Sequence, residues 1–118
     1  MNNFLYTENE EKLLTLVNKY TIDDLKSFSV CREIAEVTEE VLNELLSEFC
    51  NVIVSVDTET NVFTIHLSGT KPLYLFLRKE NPELLKEILK LIISHYGLNK
   101  VINIDGTGSG RPCVIFLD

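Results

Sequence analysis

The sequence predicts a single α+β domain: N-terminal helices, then a five-stranded, mixed, mainly antiparallel sheet in the order 1-2-3-5-4, with one long helix between strands 3 and 4. Three observations predict it. The hydrophobic period changes from helical to alternating near Cys50. All the excess negative charge lies in the first half of the chain. A chain of 118 residues, 45% of them hydrophobic, supplies one core and too little for two. Residues 1–118 therefore form one domain, with 1–50 a helical acidic layer and 51–118 the sheet plus the long helix.

In chain order, Thr7 followed by Glu10 is a capping-box pattern ahead of Leu13, Leu16, Val17 and Tyr20, which predicts a helix from about Asn9 to Tyr20. Thr21 or Asp23 caps a short segment through Phe28, and Val30 to Ala35 adds a turn or two. Thr38 caps "EEVLNELLSEF", whose Glu39 and Glu40 sit in the first turn, where the helix dipole favours anions. "NVIVSV" and "VFTIHL" flank the turn-prone "DTETN" and predict a hairpin, and "LYLFLR" is expected as a third strand. Asn81 and Pro82 supply an N-cap and an N1 proline for a helix to about Tyr96, stopped by Gly97. Its apolar residues cover about 200° of the helical wheel, wider than a single stripe, so burial against the sheet is expected. Lys100–Ile104 and Cys113–Leu117 complete the sheet, joined by a glycine-rich hairpin loop. "LYLFL" needs cover on both faces, from the N-terminal helices or, alternatively, from a second copy in a homodimer.

Charge and composition narrow the function. Residues 1–50 hold eleven acids and four bases, whereas 51–118 hold seven of each, for a net charge of −7. Such a surface repels phosphate backbones, so direct nucleic-acid binding is not expected, although mimicry of nucleic acid in a basic groove is an alternative. The N-terminus lacks a basic-then-apolar leader and no apolar run approaches 18 residues, which predicts a cytoplasmic protein with no membrane association. Cys31, Cys50 and Cys113 are odd in number and set among apolar residues, as buried free thiols are.

Two stretches are candidate sites. Glu40, Glu44 and Glu48, with Glu36 and Glu39, repeat on one helix without an interleaved lysine, a negative stripe suited to docking on a protein with a basic surface. "IDGTGSGRP" places Gly106, Gly108, Ser109, Gly110 and Arg111 together. No helix follows them, which rejects a P-loop or dinucleotide fingerprint and leaves a turn or an anion-gripping loop. His66 and His95 have no metal-ligand spacing, and no catalytic residue, metal or cofactor is expected. The element order over roughly residues 39–105 is similar to the core of the PD-(D/E)xK nucleases, but "VFTIHLS" and "LYLFLRKE" carry no acid inside either strand and no acid-x-lysine triplet. The sequence thus points to a small acidic domain that binds another protein as an inhibitor, immunity-type factor, adaptor or regulatory subunit. A small-molecule or nucleotide module built on residues 106–111 is the alternative.

Overall fold

Alternating β-branched residues make the segments around 51–56 and 63–68 strand formers, and they pair antiparallel as β1 (Asn51–Val56) and β2 (Phe63–Ser68). In the turn between them, the N–H groups of Thr60 (2.9 Å) and Glu59 (2.8 Å) donate to Asp57 Oδ1 and hold its carboxyl below the usual range. Asn61 closes the turn in the left-handed region at φ 57°. The computed structural model describes residues 8–106 and 108–118, so the capping role expected of Thr7 lies outside the described residues. Around the hairpin lie helices α1 (Glu8–Lys19), α2 (Phe28–Leu46), α3 (Pro72–Glu80) and α4 (Pro82–His95), with strands β3 (Ile102–Asn103) and β4 (Arg111–Leu117). Short 3₁₀ turns occupy Asp23–Lys26 and Leu98–Lys100.

The chain is therefore α+β with four helices and a four-stranded mixed sheet, which corrects the expected five strands and single long helix. The third strand does not form. "LYLFLR" belongs to α3, which starts at Pro72 in the N1 position, and its apolar run lacks the β-branched residues that fill β1 and β2. Tyr74 and Leu77, one turn apart, face inward, and the Tyr74 hydroxyl lies 2.7 Å from the Leu67 carbonyl and 2.8 Å from the Asp118 carbonyl. That hydroxyl ties α3 across the ends of β2 and β4. Asn81 then separates the two helices: its N–H donates to Leu77 O, ending α3, and its side-chain oxygen accepts from Leu84 N, opening α4. With the strand gone, the nuclease-like order of elements is absent too.

Sheet topology differs in a second way. The order is β1-β2-β4-β3, and β4 runs parallel to both neighbours, so only the β1–β2 pair is antiparallel. The glycine-rich segment is not a hairpin loop. Parallel neighbours usually need a crossover of about a dozen residues or more, but only two residues of β3 pair here, Ile102 with Arg111 and Asn103 with Pro112. Gly110 permits the close return: a Cβ there would lie 2.5 Å from the Val101 carbonyl carbon.

Helix α2 is also longer than expected. Its buried positions Cys31, Ile34, Ala35, Thr38, Val41 and Leu42 continue one apolar stripe straight through Thr38, so the expected break there does not occur. Thr38 is not a cap; it is fully buried in mid-helix. Along the outer edge of β1, α2 substitutes for a neighbouring strand. Asn43 Nδ2 donates to Val52 O (2.7 Å), Asn43 Oδ1 accepts from Val52 N (2.9 Å), and Glu39 Oε1 accepts from Val54 N (2.8 Å). The edge is thus closed by side chains rather than backbone. The inward face of the sheet, including Val54, Phe63, Ile65 and Ile115, packs with Leu13, Ile34, Leu42, Leu85 and Leu89 in one core. Each such large side chain contributes roughly 1.5–3 kcal/mol of burial.

The hydroxyl of Thr38 is buried without a hydrogen-bond partner. Thr38→Val, which keeps the shape and removes the stranded oxygen, is expected to raise stability by about 1 kcal/mol in urea unfolding; a loss of stability would mean that the hydroxyl is bonded after all.

Candidate functional site

The five glutamates of the expected docking stripe do not form one surface. Glu39 is committed to the β1 edge through Val54 N. Glu36 pairs with Arg32 one turn before it (3.2 Å), and Glu40 faces Lys12 of α1 at 4.0 Å. One further acid of α2, Glu33, meets Lys19 (3.4 Å) and accepts from the Tyr20 hydroxyl (3.0 Å). Exposed pairs of this kind contribute about 0–1 kcal/mol each, but their positive members answer the charge of the N-terminal half of the stripe. Glu44 and Glu48 stand apart from that seam. Glu44 is exposed near the C-terminal end of α2, and Glu48 lies past its last residue, Leu46, in the turn that follows.

The glycine-rich segment is occupied with its own structure. The Asn103 side chain takes both backbone groups of Gly108, accepting from its N–H (3.1 Å) and donating to its carbonyl (3.0 Å). Gly106 has φ 77° and open space around it. Arg111 is half-buried, and its Nε donates to the Leu25 carbonyl (3.0 Å), which also accepts from Cys31 Sγ (3.2 Å). The guanidinium therefore braces the first 3₁₀ turn from β4. Ser109 is exposed and touches two shallow surface depressions. Among the described residues of the loop, the N–H groups of Gly108 and Arg111 are used within the chain, by Asn103 Oδ1 and Val101 O, rather than left for a ligand.

No grouping of three or more His, Cys, Asp or Glu suited to a metal ion occurs among the described residues. His66 packs against Phe116 on the outer face of the sheet, ring centres 5.0 Å apart, and His95 meets Tyr96 edge-on at 4.9 Å. The three thiols are free and buried. Burial pushes Cys113 up to about 12 and raises Cys50; it raises Cys31 as well, against the opposing field of Arg111. A thiol held above its ordinary range is a poor nucleophile, because the thiolate is the attacking species.

What the sequence did not indicate is an apolar groove between the C-terminal ends of α2 and α4. Leu45, Leu46, Leu91, Ile92, His95 and Tyr96 line a cavity of about 530 Å³. Leu91 is 69% exposed, and Leu84, on the same face of α4 two turns earlier, is 42% exposed. The groove is held in place from below: Leu89 and Ile93 anchor α4 in the core, and the Tyr96 hydroxyl donates to Glu10 Oε1 of α1 at 2.7 Å. Glu44 and Glu48 lie one and three residues from Leu45 in sequence, on the α2 side of the groove; on the α4 side Glu87, one turn before Leu91, pairs with Lys90 at 3.6 Å. The C-terminal ends of two helices, each the negative end of its dipole, meet there as well. The signal in the sequence was the apolar arc of α4, wider than one buried stripe can use.

Modification with a thiol reagent under native conditions is expected to be slow at all three cysteines and to become complete in denaturant; rapid native reaction at Cys113 would contradict its burial. No family model, curated protein or solved structure matches this chain.

Proposed function

We propose that the protein is a binding domain of the inhibitor, adaptor or regulatory-subunit class, and that it receives an amphipathic segment of a partner protein, apolar on one side and rich in lysine or arginine on the other, in the groove between α2 and α4. The observation that carries this reading is the exposed Leu91 beside Leu45, in an apolar groove with Glu44 and Glu48 close in sequence on its α2 side. A contiguous apolar patch marks an interaction surface where a single scattered leucine does not, and Leu45, Leu46, Leu91 and Ile92 line one groove together. Helix-in-groove recognition uses apolar anchors at helical spacing, and flanking charge selects the partner and speeds the encounter. Nothing about Arg111 or the glycines favours the ligand-binding alternative.

The charge assignment moves with the geometry. Glu36, Glu39 and Glu40 lie more than one turn before Leu45 on α2, whereas Glu44 and Glu48 lie within three residues of it, so the docking role falls to Glu44 and Glu48.

A designed amphipathic helix of leucine and lysine, followed by fluorescence anisotropy, provides the test, with a leucine–glutamate helix as its counterpart. The cationic helix should bind and the anionic one should not, with affinity falling as salt rises. Leu91→Ala should weaken binding about tenfold or more. Glu44→Gln with Glu48→Gln should weaken it further than Glu36→Gln with Glu40→Gln, although both double variants change the net charge equally. Equal effects of the two double variants would mean that only bulk charge is at work and would overturn the groove assignment.

A further inference from the structure

The sheet has two sides, and only one of them is closed along its length. At β1 the outward backbone groups of Val52 and Val54 are taken by Asn43 and Glu39. On the other side β4 is flanked by β3, which is two residues long and ends at Asn103, opposite Pro112. The two ends of β4 show where its remaining groups point: Arg111 N–H donates to Val101 O on the β3 side, whereas Asp118 N–H donates to Leu67 O on the β2 side. Backbone groups alternate between the two sides of a strand from one residue to the next. Those of Val114 and Phe116 therefore face β2, and those of Ile115 and Leu117 face away from it. Among the described residues nothing bonds to the backbone of Ile115 or Leu117 on that side, and none of the described helices runs along β4 as α2 runs along β1.

The stretch from Cys113 to Leu117 also lacks what usually blunts an edge: it holds no lysine or other charged residue, no proline and no glycine. Ile115 and Leu117 turn their side chains to the core, which holds their backbone groups in strand geometry. Val114 and Phe116, 45% and 48% exposed, lie on the outer face beside them.

From this we infer that the C-terminal half of β4 is an acceptor edge for an extended segment of a partner protein, which adds to the sheet as a further strand beyond Asn103. The groups left over select that occupant. A helix has its own N–H and C=O groups bonded internally, whereas an extended backbone presents the matching row of donors and acceptors. Side chains narrow the choice. Residues of the segment beside Ile115 and Leu117 meet the margin of the core and are apolar and β-branched, and those beside Val114 and Phe116 stand in water and are small and polar. The net charge of −7, with Asp118 next to Leu117, favours lysine or arginine at the ends of the segment. The same charge sets two copies of this chain against each other, so the strand comes from a different protein. This edge is separate from the groove between α2 and α4, whose lining includes no residue of β4.

A short peptide of alternating threonine and valine with a lysine at each end is the probe, and amide hydrogen exchange followed by NMR is the readout. In the free protein Ile115 and Leu117 should exchange as open strand positions, while Val114 and Phe116 are protected by β2. Saturating peptide should slow exchange at Ile115 and Leu117 about tenfold or more. The same peptide N-methylated along its backbone keeps its side chains and charge but loses its donors, and should leave both positions fast. Leu91→Ala, in the groove, should take up the peptide as the parent chain does. Slow exchange of Ile115 and Leu117 in the free protein would mean that the edge is already closed, and slowing that grows with protein concentration would give it to a second copy; either overturns the assignment. So would a peptide that protects neither position, equal protection by the methylated form, or loss of protection in Leu91→Ala.

Discussion

Three hydrogen bonds from two side chains, Asn43 with Val52 and Glu39 with Val54, fix helix α2 against the edge of the sheet, and most of the molecule's surface chemistry follows from them. A bare edge strand offers its N–H and C=O groups to any passing chain. Here a side-chain amide imitates a neighbouring strand by both donating and accepting, and a carboxylate one turn away takes the next N–H. Burying these groups unpaired costs on the order of 1–3 kcal/mol each, so α2 cannot slide or rotate without exposing or stranding them. Its apolar stripe is then aimed inward, its N-terminal acids meet the lysines of α1, and its C-terminal leucines are left beside α4.

That placement divides the exposed surface into two regions of opposite character. At the end of α2 and α4 an apolar groove sits beside negative charge, from Glu44, Glu48 and two helix C-termini. On the far side of the sheet lies a face without any formal charge. Under the proposed function the first is the surface that receives a cationic segment.

Much of this was legible in the residues, and the exceptions have physical reasons. Strands β1 and β2 followed from β-branched alternation, and the start and stop of α4 from Asn81, Pro82 and Gly97. "LYLFLR" was misread because a short apolar run is periodic in neither sense; Pro72 at its head and the lack of Val, Ile or Thr were the available clues. Thr38 has the chemistry of a cap, and only the continuity of the stripe from Cys31 to Leu42 reveals it as an interior residue. The roles of Glu39, Asn103 and Arg111 were not legible at all. Each bonds to backbone that only the tertiary fold brings near: Glu39 to Val54, Asn103 to Gly108 and Arg111 to Leu25. A stripe of glutamates on a wheel says where carboxylates point along a helix, and nothing about which lysine or strand edge waits there.

Amide hydrogen exchange resolved at single residues measures the edge closure most directly. The N–H groups of Val52 and Val54 point away from β2, towards α2, and should exchange as slowly as those of Ile53 and Ser55, which face the interior of the sheet. Exchange of Val52 and Val54 at the rate of an open strand, with Ile53 and Ser55 still protected, would show that α2 does not hold the edge and would remove the basis for assigning the groove.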